Sequence, residues 1–114
     1  MYELIFYQIS RGDYPVLDFI DTLDKKSRAK VYQYLNLLEK EGPNLLRPYA
    51  DHVRGKIREL RVRFSSINVR IFYFFFLKDK IVLLHAFKKK TQQIPDREID
   101  RAEKNMIDWI EREC

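Results

Sequence analysis

The chain has 114 residues, 46% of them hydrophobic and 14% aromatic, which is enough to bury the core of one domain over residues 1–114 and excludes intrinsic disorder. The only cysteine, Cys114, excludes an intramolecular disulfide and a cysteine-based zinc cluster, and we expect a reducing, cytoplasmic location. Uncharged apolar stretches such as residues 71–77 are far shorter than the ~20 residues of a membrane-spanning helix, and the N-terminal residues do not read as a signal peptide.

The positive charge is concentrated in one third of the chain. The net charge is +5, but from His52 to Lys90 eleven Lys and Arg face only two carboxylates, a net +9, whereas the remaining residues carry −4. A localised positive field attracts polyanions such as nucleic acids. The alternative is a solvated surface that merely keeps the protein soluble.

The first predicted elements are one strand and two helices. Tyr2–Tyr7 is rich in aromatic and β-branched residues and predicts a strand. Asp13 is a candidate cap for the first helix, Asp24 or Ser27 for the second, and Gly42 ends the second helix. Apolar residues at helical spacing predict that the two helices form a hairpin with one shared apolar face.

A long loop and three consecutive strands are predicted next. Two prolines, a glycine and mixed charge indicate an exposed loop over residues 43–56. Residues 57–64, 69–77 and 81–87 then follow the period of a strand, and the middle one is apolar on both sides, which predicts a central strand covered on both faces.

A final amphipathic helix opens at Asp96, with an apolar stripe formed by Ile99, Ala102, Met106, Trp109 and Ile110. The predicted fold is therefore a small α+β domain of the order β-α-α-β-β-β-α. Its antiparallel sheet carries an N-terminal helical hairpin and a C-terminal helix.

Three groups of cations lie on these predicted strands. Arg61 and Arg70 flank the first hairpin, and Lys88, Lys89 and Lys90 follow the last strand. If the register brings them together, they would suit a phosphodiester, because guanidinium groups bind phosphate oxygens bidentately and cations stabilise a five-coordinate transition state. The alternative is that these arginines protect sheet edges or pair with carboxylates, as Arg61 could with Glu59.

The two histidines are candidates for proton transfer near neutral pH. His85 lies within an apolar strand, where most histidines are hydrogen-bonded core residues, whereas His52 lies in the predicted loop. Further cations of the basic segment are candidate RNA contacts, together with His52: Arg54, Lys56, Arg58 and Arg63. Neither a metal site nor a nucleotide-binding glycine loop is predicted, so we expect no cofactor.

Three motifs of this segment resemble one known family. They are Glu59-Leu60-Arg61, the run from Arg70 to Tyr73, and the strand end from His85 to Thr91. In this order and spacing, residues 56–94 resemble the RelE/ParE superfamily of type II toxins, and most closely the phage-derived branch grouped with HigB-like toxins. The resemblance implies a RelE-like fold over essentially the whole chain.

The resemblance also implies an activity and partners. RelE-type toxins are ribosome-dependent mRNA endonucleases (mRNA interferases) that inhibit translation, in which the ribose 2′-hydroxyl attacks the adjacent phosphate. The implied partners are mRNA, the ribosome and a cognate antitoxin, which is often a HigA-like helix-turn-helix protein. Operator DNA would be bound only through this antitoxin. By motif, Arg70 matches an arginine that contacts the scissile phosphate, Lys88–Lys90 match a transition-state-stabilising arginine, and Arg61 matches the arginine of the preceding strand.

The sequence departs from RelE at two positions. Glu59 stands where RelE has a lysine, and residues 91–95 lack the tyrosine that follows the last strand there. The candidates for the general base are therefore His85, His52 and a lysine with a lowered pKa. Two other functions also remain open: a ParE-like inhibitor of DNA gyrase on the same fold, and a non-catalytic RNA-binding module.

Overall fold

The computed structural model describes residues 1–113, which form five strands and three α-helices. In chain order the elements are β1 (Glu3–Phe6), α1 (Pro15–Asp21), α2 (Lys25–Glu41), a 3₁₀ turn (Gly42–Asn44), β2 (Ala50–Arg54), β3 (Ile57–Phe64), β4 (Ile67–Phe76), β5 (Lys80–Lys88) and α3 (Asp96–Glu113). None of the helices in residues 1–113 is long and apolar enough to cross a membrane. Cys114 lies outside the described residues.

The five strands form one mixed sheet in the order β1-β5-β4-β3-β2. The α+β class is confirmed, and β4 is the central strand as predicted. The wholly antiparallel sheet is wrong, because β1 pairs with β5 in parallel, with Glu3 opposite Lys80 and Phe6 opposite Leu83. Those strands lie far apart in the sequence, so no local pattern specified their relative direction.

The second departure from the predicted order is β2, which lies inside the expected loop at 43–56. Residues Ala50–Arg54 pair antiparallel with β3, with Ala50 opposite Leu60. Gly55 has a φ of +56° in the turn that joins the two strands, a conformation that favours glycine. Pro48 and Gly55 therefore flank a short edge strand that pairing with β3 stabilises, whereas Pro43 lies in the 3₁₀ turn after α2.

Helices cover both faces of the sheet and create two apolar cores. One core lies under α1 and α2 and includes Ile71 and Tyr73 of β4. The other lies under α3 and includes Phe72 and Phe74, together with the predicted stripe of α3. The alternation along β4 thus confirms the prediction of a strand covered on both sides.

The helix ends test the predicted caps. Asp24 caps α2, since its Oδ1 accepts a hydrogen bond from the Ser27 amide at 2.8 Å. Asp13 does not cap α1, because the helix begins later, with Tyr14 at the capping position, and Asp13 pairs instead with Arg11 at 2.8 Å.

Gly42 ends α2 as predicted, with a φ of +55°. A Cβ at this position would lie 2.2 Å from the ring of Tyr2. Glycine is therefore required both by the backbone conformation and by the close approach of the Tyr2 ring, which lies just before β1.

Candidate functional site

A row of charged side chains lies on the face of the sheet that packs against α3. Ile57 of β3 and Phe72 of β4 belong to the core under α3. Side chains alternate between the two faces of a strand, so Glu59 and Arg61 share the face of Ile57, and Arg70 shares that of Phe72. The register places Arg61 directly opposite Arg70.

Lys89 reaches the same region from the end of β5. Phe87, which lies opposite Arg70, packs in the core under α3. Two residues further, the Lys89 amide donates a hydrogen bond to the Asn68 carbonyl at 2.8 Å and extends the pairing beyond the strand. Lys89 therefore lies on the same face as Phe87 and Arg70.

These side chains line one open cavity of about 440 Å³, which we call the basic pocket. Its walls are Arg47, His52, Val53, Glu59, Arg61, Arg63, Arg70, Lys89, Gln92, Gln93, Ile94 and Ile99. The structure thus brings together Arg61, Arg70 and one lysine of the triplet, which the sequence analysis required for phosphodiester chemistry.

A buried ion pair lies in the wall of the basic pocket. Arg70 Nε donates to Glu59 Oε1 at 2.8 Å, and the two side chains are only 2% and 8% exposed. Arg70 Nη1 also donates to Asn68 Oδ1. Burial lowers the pKa of Arg70, and the neighbouring Glu59 carboxylate opposes this shift. Glu59 and Asn68 therefore hold the Arg70 guanidinium in one position.

Arg61 is held much less completely. Its Nε lies 3.9 Å from Glu59 Oε2, which is too long for a hydrogen bond. This Nε is shielded from solvent and has no hydrogen-bond partner, although the side chain as a whole is 16% exposed. A buried donor without a partner costs about 1–3 kcal/mol, so an anion that accepts from it removes a penalty. The ion pair with Glu59 that was predicted for Arg61 is therefore formed mainly by Arg70.

Lys89 ties the loop before α3 to the pocket. Its Nζ donates to the carbonyl oxygens of Thr91 at 2.5 Å and Gln92 at 2.8 Å. Desolvation, with the nearby Arg70 charge, lowers the pKa of Lys89. A lowered pKa is what the sequence-based hypothesis requires of a lysine that acts as a general base.

The other two lysines of the triplet lie elsewhere. Lys88 is opposite Val69, which belongs to the core under α1 and α2, so its side chain lies on the other face of the sheet. Lys90 lines a neighbouring hollow of about 360 Å³ that shares Arg63 and Lys89 with the basic pocket. Lys90 therefore lies at the rim, and Lys88 is outside the site.

His85 does not line the basic pocket. It borders a separate cavity of about 250 Å³, whose other walls include Arg101 and Asn105 of α3. Its Nε2 lies 2.7 Å from Glu98 Oε1, and its ring stacks on Phe87. Burial lowers the pKa of His85 even though the Glu98 carboxylate opposes the shift. The expectation of a hydrogen-bonded core histidine describes this geometry.

His52 and Arg63 do line the basic pocket, and both side chains are exposed. His52 Nε2 lies 2.8 Å from the Gly55 carbonyl oxygen and must be the donor, because a carbonyl only accepts. These two residues are the predicted RNA contacts that the fold places in the pocket.

The remaining predicted RNA contacts lie outside the basic pocket. Arg54 pairs with Asp100 of α3 at 2.9 Å. Lys56 is exposed in the turn between β2 and β3. Arg58 lies opposite Tyr73, a residue of the core under α1 and α2, and therefore on the other face of the sheet.

Several residues of the pocket were not predicted from the sequence. Arg47 precedes β2, where it pairs with Asp51 at 2.8 Å, and Gln92 and Gln93 lie in the loop before α3. Nothing in their local pattern pointed to a site. Glu59 did carry a signal, as one of only two carboxylates in the basic segment. Within residues 1–113, no group of three His, Cys, Asp or Glu side chains is arranged to hold a metal ion.

A comparison with protein families matches residues 18–107 to the family described as phage derived protein Gp49-like (DUF891). The match covers most of the chain, so the protein belongs to this family, which is phage-derived and toxin-like. No curated protein matches the sequence significantly.

Proposed function

We propose that this protein is the toxin of a type II toxin–antitoxin system, of the HigB-like branch, and that it cleaves mRNA on the ribosome. The observation that carries the proposal is the meeting of Arg61, Arg70 and Lys89 in one open pocket. Membership of a toxin-like family supports the same conclusion. Both observations agree with the concentration of positive charge in one third of the chain.

The proposed reaction is an intramolecular transesterification of RNA. A ribose 2′-oxygen forms a bond to the adjacent phosphorus while the bond from phosphorus to the 5′-oxygen breaks, which leaves a 2′,3′-cyclic phosphate and a free 5′-hydroxyl. The 2′-hydroxyl loses one proton and the leaving oxygen gains one. Cationic side chains accelerate such a step because they stabilise the additional negative charge of the five-coordinate transition state.

Two residues of the pocket suit the proton transfers. Lys89 has a pKa lowered by desolvation and by Arg70, which increases its neutral fraction. His52 is exposed on the wall of the same pocket. His85 was an equal candidate from the sequence, but it lies in another cavity with its ring nitrogen bound to Glu98. We therefore assign the proton transfers to Lys89 or His52.

The proposed partners follow from the same surface. A pocket of this charge suits the mRNA backbone and the ribosome, and an antitoxin segment with acidic and apolar residues would neutralise it. In the proposed system the antitoxin is a HigA-like helix-turn-helix protein, and operator DNA is bound only through it.

The test compares two adjacent lysines that lie on opposite faces of the sheet. The parent chain and the variants Lys89→Ala and Lys88→Ala are induced in bacterial cells, and transcripts are mapped for cleavage within translated codons. We expect the parent and Lys88→Ala to arrest translation and cut mRNA, and Lys89→Ala to lose both effects. Both substitutions remove one positive charge, so the comparison separates the pocket from overall charge.

Three outcomes would contradict the proposal. DNA damage with intact transcripts would indicate a ParE-like gyrase inhibitor. Ribosome binding without mRNA cleavage would indicate a non-catalytic RNA-binding module. Equal loss of cleavage in Lys88→Ala and Lys89→Ala would show that the basic pocket is not the site.

A further inference from the structure

We propose that Arg61 binds the phosphodiester directly, and that Glu59, Arg70 and Asn68 form a rigid frame that positions it. This assignment rests on the proposed function for the identity of the anion. It differs from the role implied by the family resemblance, in which Arg70 contacts the scissile phosphate.

Arg70, through Nε and Nη1, and Lys89, through Nζ, already donate hydrogen bonds within the pocket wall. Arg70 Nε is bonded to Glu59 at 2.8 Å and Nη1 to Asn68, and the side chain is only 2% exposed. Lys89 Nζ donates to two carbonyl oxygens of the loop before α3. A phosphate that took these donors would have to break bonds that hold the pocket together.

Arg61 is in the opposite situation. Its Nε lacks a partner and its side chain is eight times as exposed as that of Arg70, at 16% against 2%. A small rotation of the guanidinium into the cavity would exchange an unpaired donor for a charge-assisted hydrogen bond. The planar fork of Nε and an Nη then matches two phosphate oxygens.

Glu59 is the positioning residue of this arrangement. Arg61 and Arg70 lie directly opposite each other on β3 and β4, where like charges repel. The Glu59 carboxylate lies on the same face, bonded to Arg70 through Oε1, with Oε2 3.9 Å from Arg61 Nε. It compensates the pair of positive charges but engages only Arg70, so Arg61 is left to the ligand.

The experiment follows the arginine Nε–H signals of the full-length ¹⁵N-labelled protein by NMR. The probe is a single-stranded DNA oligonucleotide, which has phosphodiesters but no 2′-hydroxyl and is not cleaved. The signals are assigned with Arg61→Lys and Arg70→Lys. We expect the Arg61 Hε resonance to move downfield during the titration and that of Arg70 to stay in place. The reverse pattern would overturn the proposal.

Substitutions provide the matched affinity test. Arg61→Lys keeps the charge but removes the fork, and we expect it to weaken DNA binding at least about tenfold, whereas Arg58→Lys, on the opposite face of the sheet and outside the pocket, should change it less than about twofold. Equal effects would overturn the direct role of Arg61.

The role of Glu59 has its own spectroscopic readout. In Glu59→Gln the Arg70 guanidinium loses its charged partner, so the Arg70 Hε resonance should also respond to DNA. A purely structural role would not produce this response, and its absence would overturn the positioning assignment.

These outcomes are separable from the test of the nuclease. A chain that shows the Arg61 response but cuts no RNA on ribosomes would support the phosphodiester assignment and contradict the proposed activity. Full mRNA cleavage by Arg61→Lys would overturn the assignment and leave the activity standing.

Discussion

Replacement of Glu59 by alanine would leave the Arg70 guanidinium buried without its counter-charge. The two side chains are 8% and 2% exposed, and removing one partner of a buried ion pair costs about 3–5 kcal/mol. Arg70 keeps its bond to Asn68, and Glu59 lies on the wall of an open cavity that water can enter, so we expect the lower end, about 3 kcal/mol. With a urea dependence of about 2 kcal/mol per molar, the unfolding midpoint should fall by about 1.5 M.

The measurement is equilibrium unfolding in urea, followed by the fluorescence of the single tryptophan, Trp109 of α3, which packs against Phe76 of β4. Asp13→Ala is the control, because it removes a carboxylate from an exposed pair and should leave the midpoint nearly unchanged. The double variant Glu59→Leu with Arg70→Leu should be more stable than Glu59→Ala, since it leaves no unpaired charge. A Glu59→Ala loss below about 1 kcal/mol would refute the reasoning.

Three further predictions concern other parts of the fold. Gly42→Ala should cost more than about 1 kcal/mol in thermal or urea unfolding, because the residue has a φ of +55° and its new Cβ would lie 2.2 Å from the Tyr2 ring; an unchanged midpoint would contradict this. Burial lowers the pKa of His85 below its ordinary 6.5, so the unfolded chain binds its proton more readily and stability should decrease as the pH falls below about 6.5. His85→Gln should flatten that dependence of the urea midpoint, and an equally steep slope would argue against it. Burial and the hydrogen bond to Asp108 raise the pKa of Tyr7 to about 12, so its stabilising contribution should be lost as the pH rises from 10 to 12. In an absorbance titration, Tyr7→Phe should lack the phenol that ionises at the highest pH. Loss of a phenol that ionises near the ordinary pKa would contradict the shift.

The strands that carry the site were predictable because their local pattern is strong. From Glu59 to Phe64 charged and apolar side chains alternate, and β3 spans residues 57–64 in the structure as predicted. The two-residue turn to β4 then leads to Arg61 opposite Arg70. The pairing of β2 and the parallel direction of β1 depend on contacts with distant strands and could not be derived from local sequence.

The lysine triplet shows where periodicity stops being informative. Adjacent residues of a strand point to opposite faces, so a one-residue change of register exchanges the side chains that enter a pocket. The pairing of β4 with β5 contains an irregularity between Phe72 and Tyr73. Pairing beyond it leaves Lys89 in the pocket and Lys88 on the far face.

By itself, the sequence determined the α+β class, the strands β3 to β5 and the final helix, because these depend on composition and on the period of neighbouring residues. It also determined that the positive charge is concentrated in one segment of a chain with an apolar core. Only the tertiary structure decided which cations share a cavity, that Glu59 hydrogen-bonds Arg70 rather than Arg61, and that His85 lies in a different cavity. The physical reason is that charge interactions depend on distances between strands, and register and packing against α3 set those distances.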